Sequence, residues 1–81
     1  MDKKTLQETY DKLLIGAKVS VLCADAIGVR SVQEGILIDK YLVLDKGPHN
    51  NVFVDVLLKG GRILEQHYFF FGTTQTVQVL S

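Results

Sequence analysis

Between Asn51 and Phe71 the chain spells out a β-hairpin: NVFVDVLL, then Lys59-Gly60-Gly61-Arg62, then ILEQHYFFF. Two runs rich in Val, Ile, Leu and aromatics around a Gly-Gly turn are the pattern of antiparallel strands. Both runs carry apolar residues on both parities, so neither face of the ribbon can simply meet water. Such a hairpin has to be covered twice, by its own sheet and by a helix or another protein.

Two registers are open to it. A two-residue Gly60-Gly61 loop pairs Val54 with His67 and Val56 with Glu65, which sets polar groups among valines. A three-residue loop with one glycine in a bulge pairs Leu58 with Leu64, Val56 with Gln66, Val54 with Tyr68 and Val52 with Phe70. Its other face then holds Asp55 opposite His67 and Phe53 opposite Phe69. An unpaired Glu65 or His67 among valines would cost roughly several kcal/mol, whereas an Asp–His cross-strand contact contributes about 0.2–1 kcal/mol. The second register is therefore expected. Its outward face still carries Phe53, Leu57, Ile63, Phe69 and Phe71, more apolar surface than a lone protomer leaves in water.

The remainder reads as one domain over residues 1–81, with a helix at 3–15 and a β-barrel or coiled sheet at 18–80. Leu6, Tyr10, Leu13 and Leu14 recur as a single helical stripe. Asp2 suits the N-cap, Gly16 the left-handed C-terminal cap, and Glu8 and Lys12 an i,i+4 pair. Strands follow at Lys18 to Ala24 and Val29 to Ile38, with Gly35 marking a bulge or bend. Asp39-Lys40 is either a tight turn or part of a strand running on through Tyr41 to Leu44. Asp45 to Asn51 is a loop, Gly72-Thr73-Thr74 a turn, and Thr76 to Leu80 a last short strand. The fold class is mainly β with one N-terminal α-helix, as a five- to six-stranded, antiparallel, strongly bent small barrel.

The stretch Gly35 to Asp45, a Gly, an apolar run, an Asp, a Tyr and Leu-Val-Leu-Asp, resembles the first motif of the Sm-like family. That resemblance implies an N-terminal helix ahead of five bent strands, and RNA binding as an alternative function. Asp39 follows Gly35 more closely than in that family, and Gly60-Gly61-Arg62 reverses the Arg-Gly of its second motif. SH3-like barrels fit the strand pattern equally well.

Charge and chemistry narrow the function. Nine basic residues balance nine acidic ones, which withholds the support a basic chain gives to phosphate binding and lowers the barrier to self-association. The single cysteine, Cys23, forms no internal disulfide and fits a core thiol in a reducing compartment. No glycine-rich loop opens a helix, and Asp39, Asp45 and Asp55 lack metal-loop spacing. An Asp55–His67 pair could be two-thirds of a triad, but the sequence places no serine or cysteine beside it. The expectation is a non-enzymatic, cytoplasmic module without cofactor, metal or membrane span. It binds itself or another protein through an apolar sheet face or the edge of the last strand, with Phe53, Leu57, Ile63, Phe69, Phe71, Tyr10 and Leu14 as the interface candidates. The alternative nucleic-acid surface consists of Lys40, Tyr41, Lys46 and His49, where an aromatic near basic groups could stack a base.

Overall fold

The structure, a computed structural model, describes residues 2–24, 27–45 and 47–80. Asp25 and Ala26, which open the Asp25 to Gly28 stretch expected to connect the first two strands, and the candidate contact Lys46 lie outside the described residues. Helix α1 (Lys3–Lys12) precedes β1 (Lys18–Ala24), β2 (Arg30–Val43), a 3₁₀ turn (Gly47–His49), β3 (Asn51–Leu58) and β4 (Ile63–Tyr68). Three short strands follow: β5 (Phe70–Phe71), β6 (Thr74–Gln75) and β7 (Val77–Val79). The main sheet is antiparallel and five-stranded in the order β4-β3-β2-β1-β7, with a separate two-stranded pair β5-β6. The fold is thus mainly β with one N-terminal helix.

Helix α1 starts where Asp2 caps it, its Oδ1 accepting from the Thr5 N–H at 2.8 Å. It stops at Lys12, three residues earlier than expected, because Leu13 is extended. Extended geometry alternates side chains, so Leu13 enters the core while Leu14 points out, 70% exposed. Gly16, expected as the helix cap, instead lies in the turn that feeds β1. At φ +95° it donates its N–H to the Leu37 carbonyl at 2.7 Å. The i,i+4 side-chain bond along the helix runs from Gln7 to Asp11 at 3.0 Å rather than between Glu8 and Lys12.

The core gathers Leu6 and Leu13 with the inward residues of the sheet. These are Val19 and Val21 of β1, Leu37 of β2, Val52, Val54, Val56 and Leu58 of β3, then Phe69 and Val77. The helix covers this valine face, not the opposite one, and Tyr10 packs half-buried at its edge. Lys40 also turns to the helix side: its ammonium donates to the Tyr10 carbonyl at 2.7 Å and lies 4.2 Å from the Tyr10 ring centroid.

β2 is one strand rather than two. It runs through Asp39-Lys40 with a register shift between Leu37 and Asp39, so Ile38 is the extra residue of a bulge. Before the bulge Leu37 faces the core; after it Lys40 and Leu42 take that side, and Asp39, Tyr41 and Val43 face outward. Gly35 sits where β3 crosses closely, and a Cβ there would lie 2.5 Å from the Leu57 carbonyl oxygen.

The hairpin does not take the expected three-residue-loop register. Near the turn Val56 pairs with Leu64 and Leu57 with Ile63, whereas farther along Val54 pairs with His67 and Phe53 with Tyr68. Between them Glu65 and Gln66 together face Asp55, and Gln66 adopts φ +51°, a geometry that costs about 1–2 kcal/mol for a non-glycine residue. The Asp55 carboxylate occupies the break by accepting the Gln66 N–H at 2.7 Å. The anticipated Asp55–His67 contact is therefore replaced, and His67 lies on the valine face after all. Its Nε2 is buried there without a hydrogen-bond partner among the described residues, the penalty that the sequence argument weighed against this placement.

Burial pushes the His67 imidazole below its ordinary value of 6.5, with the nearby Leu22 backbone acting in the other direction. The unfolded chain therefore binds a proton at this residue before the folded one does. Stability is full above the unfolded value and declines as pH falls from about 6.5 toward the depressed folded value. The thermal midpoint should drop between pH 7 and pH 5, and the drop should be shallower in His67→Gln. Equal slopes for the two proteins would show that another group carries the acid sensitivity.

Candidate functional site

The helix leaves the second face of the sheet uncovered, and alternation fixes what that face displays. Ile36 stands opposite Leu57, and Leu57 opposite Ile63, forming one apolar row across β2, β3 and β4. Leu57 and Ile63 are 38% and 50% exposed. Beside this row lies a groove of about 430 Å³ lined by Ile36, Leu57, Leu58 and Leu80, with Lys18, Lys59 and Glu34 at its margins. Toward the other end of the face a second row, Tyr41–Phe53–Tyr68, crosses the same three strands. The Tyr68 ring continues it to Phe71, with centroids 5.6 Å apart.

Between the two rows stands a pair of carboxylates. Asp39 of β2 is directly opposite Asp55 of β3. The Tyr41 hydroxyl donates to Asp55 Oδ2 at 2.5 Å and has Asp39 Oδ2 at 3.3 Å. One hydroxyl proton cannot serve both, so the corner is rich in acceptors. The Asp55 hydrogen bond, then burial and the charge of Asp39, hold the Tyr41 phenol above its ordinary pKa. Among the described residues neither carboxylate has an ion-pair partner; the pair that does form joins Lys3 to Asp45.

Of the residues expected at an interface, Leu57, Ile63 and Phe71 are exposed and Phe53 is half-buried on the outward face. Phe69 is a correction: at 4% exposure it belongs to the core, because the β4 bulge turns His67 and Phe69 inward together. Leu14 is exposed but outside the helix, and Tyr10 is on the helix-covered side, so neither joins the outward rows. Of the described nucleic-acid candidates, Lys40 and Tyr41 are not brought together. Lys40 and Tyr41 point to opposite faces, Tyr41 is hydrogen-bonded beside two carboxylates, and His49 is exposed in the 3₁₀ turn. Cys23 is half-buried against the core, and burial raises its thiol pKa, which suits an inert side chain.

Comparisons with protein-family models, with curated proteins and with solved structures find no match to this chain. Among the described residues no group of three or more His, Cys, Asp or Glu could hold a metal ion, and no helix is long and apolar enough to cross a membrane. Ile36, Leu80 and the Asp39–Asp55 pairing are the site features that sequence reasoning missed. The Asp39–Asp55 pairing depends on the β2–β3 register, which the Ile38 bulge shifts by one residue, whereas Leu80 is placed by the bond of its N–H to the Lys18 carbonyl.

Proposed function

We propose that this protein is a small, non-enzymatic binding and assembly module that self-associates through its outward apolar sheet face. The carrying observation is the Ile36–Leu57–Ile63 row with the adjoining groove. Ile63 belongs to β4, a strand that pairs on one side within the sheet, so the apolar row runs out to an unpaired edge. Zero net charge removes a repulsion that would oppose association.

The architecture we infer is a strongly bent sheet of the Sm-like or SH3-like kind. In support, Thr76 accepts from the Leu22 N–H at 2.8 Å and donates its own N–H to the Phe69 carbonyl at 2.8 Å. Its hydroxyl donates to the Tyr68 carbonyl at 2.6 Å. These bonds tie the β1 side of the sheet to the end of β4. RNA binding, the alternative such a fold suggests, draws less support, since Lys40 is engaged by Tyr10 and Tyr41 sits beside unneutralised carboxylates.

Sedimentation velocity from low to high micromolar concentration tests the proposal. The wild-type protein should run above the monomer mass, and Ile63→Lys or Leu57→Lys should weaken association at least tenfold, about 1.4 kcal/mol. A strict monomer at high micromolar concentration would end the reading.

A further inference from the structure

The aromatic row borders a second depression, of about 240 Å³, lined by Tyr41, Val43, Phe53 and Gln66. It is sized for a side chain rather than a segment of chain. Its walls are two aromatic residues placed directly opposite each other on β2 and β3. The next cross-strand pair on the same face is Asp39–Asp55, joined to the depression through the Tyr41 hydroxyl.

We propose that this depression receives an arginine side chain of a partner protein, its guanidinium lying against Tyr41 and Phe53 and donating to Asp39 and Asp55. The argument is one of complementarity. Two like charges directly opposite across a sheet repel each other, and here the nearest lysine in sequence, Lys40, is turned to the far face and held by Tyr10. The site therefore has acceptors and negative charge but lacks a cation of its own among the described residues. Aromatic faces attract cations, and a guanidinium combines a flat surface for ring contact with several N–H donors in a fixed fork. Two carboxylates beside two rings match that fork better than they match the compact, strongly hydrated ammonium of lysine. Asp39 Oδ1 accepts the Lys40 N–H at 2.8 Å, and its Oδ2 stays free to accept because the Tyr41 proton is committed to Asp55 at 2.5 Å. The inference does not rest on self-association, since the depression lies two cross-strand pairs away from the Ile36–Leu57–Ile63 row.

The test is an NMR titration of the full chain, kept below any association midpoint, with N-acetylarginine amide, its neutral citrulline counterpart and its lysine counterpart. The arginine compound should give saturable shifts at Tyr41, Phe53 and Gln66. Citrulline and lysine compounds should bind at least tenfold more weakly. Asp39→Asn should weaken the arginine compound at least tenfold while its thermal midpoint stays level or rises, because a like-charge repulsion has been removed. That substitution is preferred over one at Asp55, whose carboxylate also holds the Gln66 N–H. Absence of saturable shifts, citrulline or lysine binding equal to arginine, or unaltered affinity in Asp39→Asn would each overturn the proposal. Sedimentation of the same samples reads self-association separately, so one idea can fail without the other.

Discussion

Gly35→Ala should lower the thermal midpoint by about 5–20 °C, equivalent to roughly 1–3 kcal/mol for a domain of this size. Two effects oppose each other at this position. Alanine restricts the unfolded chain more than glycine does, which by itself would stabilise the protein by about 0.4–1 kcal/mol. Against that, a Cβ at Gly35 would lie 2.5 Å from the Leu57 carbonyl oxygen and 2.7 Å from Val56 Cγ1. The first of these is backbone and cannot rotate aside, so β2 and β3 would have to separate where Gly35 pairs with Leu58. The steric effect wins, and the sign of the change is itself the test. A midpoint equal to or above wild type, measured by calorimetry, would mean that the strands do not cross as closely as described.

Leu6→Ala should cost about 2–5 kcal/mol, the range for removing a buried leucine from a core that cannot collapse around the gap. Leu6 is 1% exposed and is the buried residue within α1, which joins the sheet's inward valines through it. A ten-residue helix is marginal in isolation, so weakening its docking should also weaken the helix itself. Far-UV circular dichroism should therefore show reduced helical signal before the main unfolding transition. Leu14→Ala is the companion control: Leu14 is 70% exposed, and its truncation should shift stability by no more than about 0.5 kcal/mol. Equal losses from the two substitutions would contradict the assignment of Leu6 as the anchor.

Local signals in the sequence were legible where local chemistry decides the outcome. The limits of β1 at Lys18–Ala24, the Asp2 cap and the Gly-Gly hairpin all follow from residue type and spacing. What escaped were features decided by residues distant in sequence. The end of α1 depends on Leu13 finding the core, although helical periodicity alone carries on to Ile15. The hairpin register was argued from the cost of leaving His67 without a partner, a penalty the fold bears at the buried Nε2 while the Asp55 carboxylate holds the Gln66 bulge in place. Of the candidate surface, Leu57 and Ile63 were readable as outward residues because the Leu57–Ile63 pair adjoins the turn. Farther from the turn the Gln66 bulge moves Phe69 inward, and periodicity carries no mark of where an alternation breaks.

The extra residue at Ile38 has a wider consequence. Odd-numbered β2 residues look inward before it and even-numbered ones after it, so this single position divides the strand into two halves of opposite phase. Without it, Asp39 and Tyr41 would rotate beneath the helix, and Lys40 and Leu42 would rotate out to solvent. The negatively charged corner and the ring beside it thus exist on the accessible side because of one surplus amino acid several ångströms away. Length, at this point in the chain, governs surface chemistry as firmly as side-chain identity does.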